Sequence, residues 1–454
     1  MPIYGIDLGT TNSLIGCNNK LLYTAPSVVN TTTGRAGKLE FDNPEAVRNY
    51  KVDMQMSDYG LVAVHCSKCV LEELKMGAGL TKEEPIEAVI SVPAYFNGGQ
   101  CEATIKAAKL ANINVRSLIK EPTAAALYIN KDKDGISAIF DLGGGTFDIA
   151  IIKSQGGKHQ VVATDGCILG GRDLDAALGS MLVHKYQLGL GVAEDIGFRH
   201  SVVEGKMFRG QGINAFTPCK VKVPSFSPSG LKEVELDIMD YATTVYATFK
   251  KSLILTKNVF KEAGIDPKTV NFCFVGGSTH CDFIRSYVET GLGVKAVPDT
   301  YDRDDVVAKG AIYYASLVEA GTNTEVMNDT SKQVSFILDN AVVATPILYK
   351  NSSLPATASL FDILANRSGS IKQTYNIKVL YGDSIFAPAE ITGGGIESNN
   401  VIVCDFDFTF SNEVKEAVDT AVTLTVQLSE EGKLTFSVEE PLEAAKIIEK
   451  EITL

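Results

Sequence analysis

Twice along the chain an apolar run leads into an acid, then glycines, then hydroxyl residues, then a second apolar run. The first copy runs from Ile3 to Ile6 and on through Asp7, Leu8, Gly9, Thr10 and Thr11. The second, 134 residues later, runs from Ile136 to Phe140 and on through Asp141, Leu142, Gly143, Gly144, Gly145 and Thr146, with Phe147 to Ile152 after it. The apolar flanks predict strands, and the glycines predict the tight turn between them. Ala88 to Val92, closed by Pro93, and Phe272 to Val275 are short apolar runs that predict buried strands. Gln100 to Leu110 places Ala103, Ala107 and Leu110 on one face of a predicted helix, and Leu61 to Leu74 is also helix-like. Phe272 to Val275 empties into Gly276, Gly277, Ser278 and Thr279, with a helix expected over Cys281 to Val288.

Beyond Ala320 the texture changes. Gly321 to Lys332 is polar and reads as a linker. From Val334 onward, strand-length segments alternate with Asn, Gly, Pro and Asp turns, as in Tyr375 to Leu380, Val401 to Phe410, Ala421 to Leu428 and Leu434 to Val438. That spacing predicts an all-β sandwich. Leu442 to Ile452 is expected to form a closing helix of three turns. The predicted organisation is residues 1–320 as an α/β domain, with one lobe over about 1–130 and a second over about 131–320. A linker over 321–333 and a β-sandwich domain over 334–454 with a short C-terminal helix follow.

Composition narrows the possible partners. Hydrophobic residues make up 45% of 454 positions, enough for sizeable cores. A net charge of −13 argues against a nucleic-acid or anionic-membrane surface. No apolar run reaches the length of a spanning helix. The chain opens directly into a predicted strand, so no secretory leader is expected. Nine scattered cysteines fit free thiols in a reducing, cytoplasmic setting. Cys66 and Cys69 form a C-x-x-C without a second pair at zinc spacing and are read as buried structural thiols.

Glycine turns bare backbone N–H groups and so suit phosphate oxygens. Asp7, Asp141 and Asp148 would repel phosphate directly and make sense beside it only with Mg²⁺ and its waters between. Two such hairpins facing each other would grip a nucleoside triphosphate from both sides. The Gly276–Gly277 turn, ahead of a helix, would put N–H groups and a positive helix end at the same cleft.

Five motifs in order carry a resemblance to a known family. They are Gly5 to Ser13, Val92 to Asn97, Glu121 to Ala126, Asp141 to Asp148 and Val275 to Thr279. Together they resemble the seventy-kilodalton heat-shock (DnaK-type) chaperones, whose ATPase domain has the two-lobed actin-like (RNase H-like) nucleotide-binding fold. The C-terminal third matches more loosely, through Lys350 to Pro355, Tyr375 to Asp383 and Ala421 to Glu440, which look like strands of the family's peptide-binding β-sandwich. The resemblance implies ATP or ADP with Mg²⁺, and K⁺ beside them, as cofactors. It implies unfolded or extended polypeptides as clients. Gly9, Thr10, Thr11 and Asn12 would hold phosphates from the first hairpin, and Gly143, Gly144, Gly145 and Thr146 from the second. Asp7 and Asp141 would order the waters of Mg²⁺, and Asp148 the neighbouring ion and water network. Glu121 would contact the attacking water, and Lys51 is the candidate lysine that places it. Gly276, Gly277 and Ser278 would approach the nucleoside, with Asp304 near its far side. Glu204 and Lys206 stand nearest the family's adenosine helix. His280 replaces an arginine that stacks on the base.

The chain also departs from the family. The segment between Asn30 and Val89 is short, so the outer part of the first lobe must be trimmed. Met207 and Phe208 stand where basic residues would help bind adenosine. Ser117 replaces an arginine that helps engage J-domain partners, and Cys101 replaces one at the interdomain coupling surface. The family's acidic leucine-rich linker is not visible, and only Leu442 to Ile452 remains of its helical lid, so weak peptide binding is expected. The leading expectation is a divergent chaperone-like ATPase. A nucleotide-binding structural or assembly protein on the same fold is the alternative, and a small-molecule kinase is a third. No G-x-x-x-x-G-K-[ST] occurs, which removes an ordinary P-loop NTPase.

Overall fold

In the computed structural model the described residues run from 2 to 453, leaving out 42, 44, 52–59, 95, 97, 132, 157, 212–216, 322–325, 328–332, 340, 342–343, 349–355, 369, 383–386, 389–390, 392–399, 411–413, 416–419, 430–432 and 441–446. The chain divides into two compact units. One comprises Met1–Tyr95 with Ala103–Glu325, the other Val326–Leu454 with Phe96–Glu102.

The first unit is built on two sheets of one plan. In the first sheet, Lys20–Pro26, Asn12–Cys17 and Ile3–Leu8 form an antiparallel meander. Ile86–Val92 and then Ile113–Lys120 continue it in parallel. In the second sheet, Lys158–Ile168, Thr146–Gln155 and Gly135–Leu142 form the meander, and Asn271–Val275 lies parallel to the last of these. Asp7 and Asp141 are each the penultimate residue of the strand that joins the meander to the parallel strand, so the repeated phrase in the sequence is a repeated place in the fold. The parallel strands Ile86–Val92 and Asn271–Val275 are buried along nearly their whole length, which is why they read as apolar runs.

Helices fill the space between and behind the sheets. The helix-like stretch at Leu61 is a helix over Gly60–Gly77, and the stretch at Gln100 is one over Gly98–Leu110. Glu121–Ile129 begins with an acid followed by Pro122, the residue types suited to a first turn. Val306–Glu319 lies against both this helix and the first strand, and the approach is close enough to require glycine. A Cβ on Gly5 would fall 2.3 Å from Ile312 Cα, and one on Gly310 would fall 1.8 Å from the Ala124 carbonyl oxygen. At the other end of the Glu121 helix, a buried polar chain ties helix to sheet. Ser137 Oγ donates to Asn130 Oδ1 at 3.0 Å, Asn130 Nδ2 donates to Ser154 Oγ at 3.1 Å, and Ser154 Oγ meets His159 Nδ1 at 2.9 Å. Cys66 and Cys69 are buried free thiols on the Gly60–Gly77 helix.

The second unit contains two four-stranded antiparallel sheets. One runs Thr345–Leu348, Gln333–Leu338, Thr374–Gly382, Val401–Thr409, and the other Ala356–Ile363, Ala421–Leu428, Lys433–Glu439, Ile447–Thr453. Both contribute to one core, with Phe336, Ile377 and Phe408 from the first and Leu424, Val426 and Phe436 from the second. The helix expected over Leu442 to Ile452 is not formed. Ile447–Thr453 is a strand paired with Lys433–Glu439, and residues 441–446 lie outside the described set. Isoleucine and threonine dominate that segment and favour the pleated surface a neighbouring strand offers. Most of the expected linker and all of Lys350 to Pro355 also lie outside the described residues. Among the described residues no helix is long and apolar enough to cross a membrane.

Gly310→Ala tests the central packing. It is expected to cost about 1–3 kcal/mol, the usual cost of an overpacked contact, and to lower the melting temperature followed by circular dichroism. An unchanged melt would show that the two helices can separate without penalty.

Candidate functional site

The two glycine turns face each other across a cavity of about 600 Å³, a size suited to a small organic ligand. A Cβ on Gly144 would fall 2.0 Å from Thr11 Oγ1, and one on Gly145 would fall 2.8 Å from Thr10 Cγ2. Each turn is braced from behind. Ser27 Oγ donates to the Gly9 carbonyl at 2.7 Å, and the Ser27 amide donates to the Thr11 carbonyl at 2.8 Å. On the second turn, Ser278 Oγ donates to the Gly143 carbonyl at 2.8 Å. The amides of Gly171 and Arg172, at the start of the helix Gly171–Lys185, donate to the carbonyls of Gly143 and Gly144 at 3.0 Å. Carbonyls tied down in this way repel an incoming anion less, and a helix start adds positive potential beside them.

The floor of the cavity is acidic. Asp7, Glu121 and Asp141 line it. Ser91 Oγ donates to Asp7 Oδ1 at 2.6 Å, and Lys51 Nζ lies 2.5 Å from Glu121 Oε1 in a buried ion pair. Burial, then repulsion from Glu121, pushes Asp7 up to about 6, while Lys51 and Ser91 pull the other way. Asp141 is raised well above the ordinary carboxyl range by burial and by the charges of Glu121, Asp148 and Asp7. Asp148 is pushed up to about 8 by burial and Glu121, against the bond its Oδ1 accepts from the Ala94 amide at 2.8 Å. Carboxyls held in this state are short of positive charge. The donor set is all oxygen, which fits a hard divalent cation such as Mg²⁺.

Most residues singled out in the sequence meet in this lining. Asp7, Gly9, Thr10, Thr11, Asn12, Glu121, Asp141, Gly143, Gly144 and Thr146 line it at the glycine turns and the acidic floor, and Lys206, Gly276, Gly277, Ser278, His280 and Asp304 line the rest. Lys51 reaches the site through Glu121. Gly145 abuts Thr10 beside the lining. Asp148 lies behind the wall, held by Ala94. Glu204, on the helix Ile196–Gly210, is exposed and is not among the described lining residues. Lys206 is taken up in an ion pair with Asp175 at 2.7 Å. His280 Nε2 sits 3.2 Å from Asp304 Oδ2 at an exposed rim.

Sequence reasoning missed Ser27, Asn49, Arg172, Asp175, Gln211 and Tyr241. For Arg172 a signal existed. Gly170 and Gly171 precede it, and a Cβ on Gly170 would fall 2.4 Å from Gly144 C and Gly145 N. The others come from distant parts of the chain and share no local motif.

Two copies of one hairpin are thus braced so that their turns confront a single cavity over a carboxyl floor. The chain belongs to the Hsp70 family. A family model described as Hsp70 protein matches residues 43–394. The chain is 26% identical to Chaperone protein DnaK of Mycoplasma mobile over 474 aligned residues, covering 93% of this chain and 76% of that one.

Two outcomes are expected from this geometry. Gly170→Ala should force the second turn off the helix start and weaken Mg-nucleotide binding by at least about tenfold, for a stability cost of about 1–3 kcal/mol. Calorimetric titration beside a thermal melt separates the two effects. The second concerns pH. Unfolded carboxyls titrate near about 4, so the folded chain binds the extra protons, and the cluster's contribution to stability falls as pH rises from about 4 toward 8. A bound divalent cation offsets that loss. Mg²⁺ should therefore raise the melting temperature more at pH 8 than at pH 6, and equal shifts would count against cation binding here.

Proposed function

We propose that this chain is a divergent chaperone-like ATPase that binds and hydrolyses Mg-ATP and holds extended apolar polypeptide weakly. The observation that carries the ATPase half is the confrontation of Thr10 and Thr11 with Gly144 and Gly145 above Asp7, Glu121 and Asp141. Family membership supports a two-lobed actin-like nucleotide domain followed by a peptide-binding β-sandwich, and the relative's printed name supports the chaperone half.

In this reading the backbone N–H groups of both turns and the hydroxyls of Thr10, Thr11 and Thr146 hold the β- and γ-phosphates. Asp7 and Asp141 would hold Mg²⁺ through its waters, with Asp148 supporting them. Bound Mg²⁺ supplies neutralisation of the charge on the phosphate oxygens. Glu121 orients the attacking water and accepts its proton. Lys51, paired with Glu121, stands beside the γ-phosphate and stabilises negative charge as the bond to the leaving oxygen breaks. Phosphoryl transfer to water asks for little more than such positioning.

Steady-state ATP turnover tests the enzymatic half. Glu121→Ala and Thr146→Ala are each expected to lower kcat by about 10²-fold while nucleotide still raises the melting temperature. Turnover that survives both substitutions would remove these residues from the reaction. Fluorescence anisotropy with an extended leucine-rich peptide tests the other half, and no binding with or without ATP would withdraw it.

A further inference from the structure

We propose that Arg172 is a further ligand of the polyphosphate, its guanidinium pairing with phosphate oxygens held between the two glycine turns. The inference rests on the nucleotide reading above and adds to it a residue that none of the five sequence motifs contains.

Arg172 is the second residue of the helix Gly171–Lys185, and its backbone and side chain do different things. The amide is committed to the Gly144 carbonyl at 3.0 Å. The side chain lines the cavity and lies against the second turn, where a Cβ on Gly145 would fall 3.5 Å from Arg172 Cζ and 3.6 Å from Nε. That same Cβ would fall 2.8 Å from Thr10 Cγ2 of the first turn. The guanidinium therefore stands at the seam where the two turns confront each other.

No neighbour answers its charge. Arg172 is partly buried, and among the described residues its guanidinium has no hydrogen-bond or ion-pair partner. The acids on its own turn of helix are engaged elsewhere. Asp173 Oδ2 accepts the Gly170 amide at 2.7 Å, and Asp175 pairs with Lys206 at 2.7 Å. The other cationic or basic side chains of the described lining have partners inside the protein. Lys206 is taken by Asp175 and His280 meets Asp304, while Arg303 holds Asp299 and the Thr279 carbonyl, with its buried Nε left over.

A bare guanidinium is unfavourable in this position. The start of a helix already carries positive potential, and a basic side chain there adds to it unless negative charge answers both. Partial burial also removes some of the water that would solvate the group. A phosphate corrects both faults. The arginine fork bonds two of its oxygens at once and stays charged through the physiological range. Lys51 shares its charge with Glu121, whereas Arg172 brings a full positive charge to the polyanion above the carboxyl floor.

Calorimetric titration of the full chain with Mg-ATP and with adenosine, for the wild type, Arg172→Ala and Arg172→Lys, tests the proposal. Hydrogen bonds to a charged group correspond to about ten- to hundredfold in affinity, and Arg172→Ala is expected to weaken Mg-ATP by that factor. Arg172→Lys keeps the charge, loses the fork and should fall between. Adenosine, which has no phosphate, should bind all three alike. Mg-ATP affinity unchanged in Arg172→Ala, equal losses in the two variants, or an adenosine loss as large as that of Mg-ATP would each overturn the inference and leave the nucleotide reading standing. Absence of heat with Mg-ATP in the wild type would remove that reading, and this inference with it.

Discussion

Backbone-to-backbone contact between the helix Val306–Glu319 and its two neighbours is the constraint on which the first unit depends. Gly5 lets the first strand meet Ile312 on this helix, and Gly310 lets the helix that carries Glu121 meet it at Ala124. The same helix therefore fixes the strand that ends in Asp7 and the helix that begins with Glu121. A side chain at either glycine would separate those elements by more than the tolerance of an ion pair such as Lys51–Glu121. The polar chain through Asn130, Ser154 and His159 fixes the far ends of the Glu121 helix and of the second hairpin. The groups at the cavity end are thus held by packing at the other.

On that frame the floor of the cavity is an electrostatic conflict left open. Buried carboxyls within reach of one another raise each other's proton affinity, and the ammonium of Lys51 relieves only part of it. A cluster kept for stability alone would be better replaced by apolar side chains. Its retention beneath two phosphate-sized turns makes sense if a cation and a polyanion complete it together. The cation answers the carboxyls, and the phosphates answer the cation. The turns themselves, with carbonyls bonded backward to Ser27, Ser278, Gly171 and Arg172, add donors without adding negative charge.

The duplicated hairpins were legible in the sequence because everything that makes them is local. Acid, glycines and apolar flanks are contiguous, and so is the strand at Ile86–Val92 with its closing proline. The groups that brace the turns were not legible, because Ser27, Gly170 and Ser278 act through contacts that exist only after folding. That Glu204 stands outside the described lining was not legible for a related reason. Spacing along a helix says which residues share a face, but the face turned to the cavity is decided by what the rest of the helix buries, here Phe198, Val202 and Gly205. The C-terminal segment was misread because Ile-Ile-Glu-Lys-Glu-Ile-Thr suits either a short helix or an edge strand. Pairing with Lys433–Glu439 decides between them, and no local pattern encodes that partner.

The two sheets of the first unit differ in what each places between its meander and its parallel strand. The first sheet inserts a small three-stranded sheet over Val28–Asn30, Arg35–Ala36 and Val47–Arg48 and one helix. The second inserts the helices Gly171–Lys185, Ile196–Gly210 and Ile238–Ala263 together with a two-stranded sheet over Lys220–Lys222 and Glu233–Glu235. The repeat therefore supplies the glycine-turn end of the cavity twice, while the wall with Val203, Met207, Tyr241, Cys281 and Ile284 comes from the second half of the first unit. The constraints at the two ends are correspondingly unequal. A change in either turn disturbs a grip that needs both halves, whereas a change among Val203, Met207 or Cys281 alters one wall and leaves the grip standing. Under the proposed nucleotide reading, divergence in such a fold would be free to accumulate at the single wall, and the paired turns would set the limit on how far it can go.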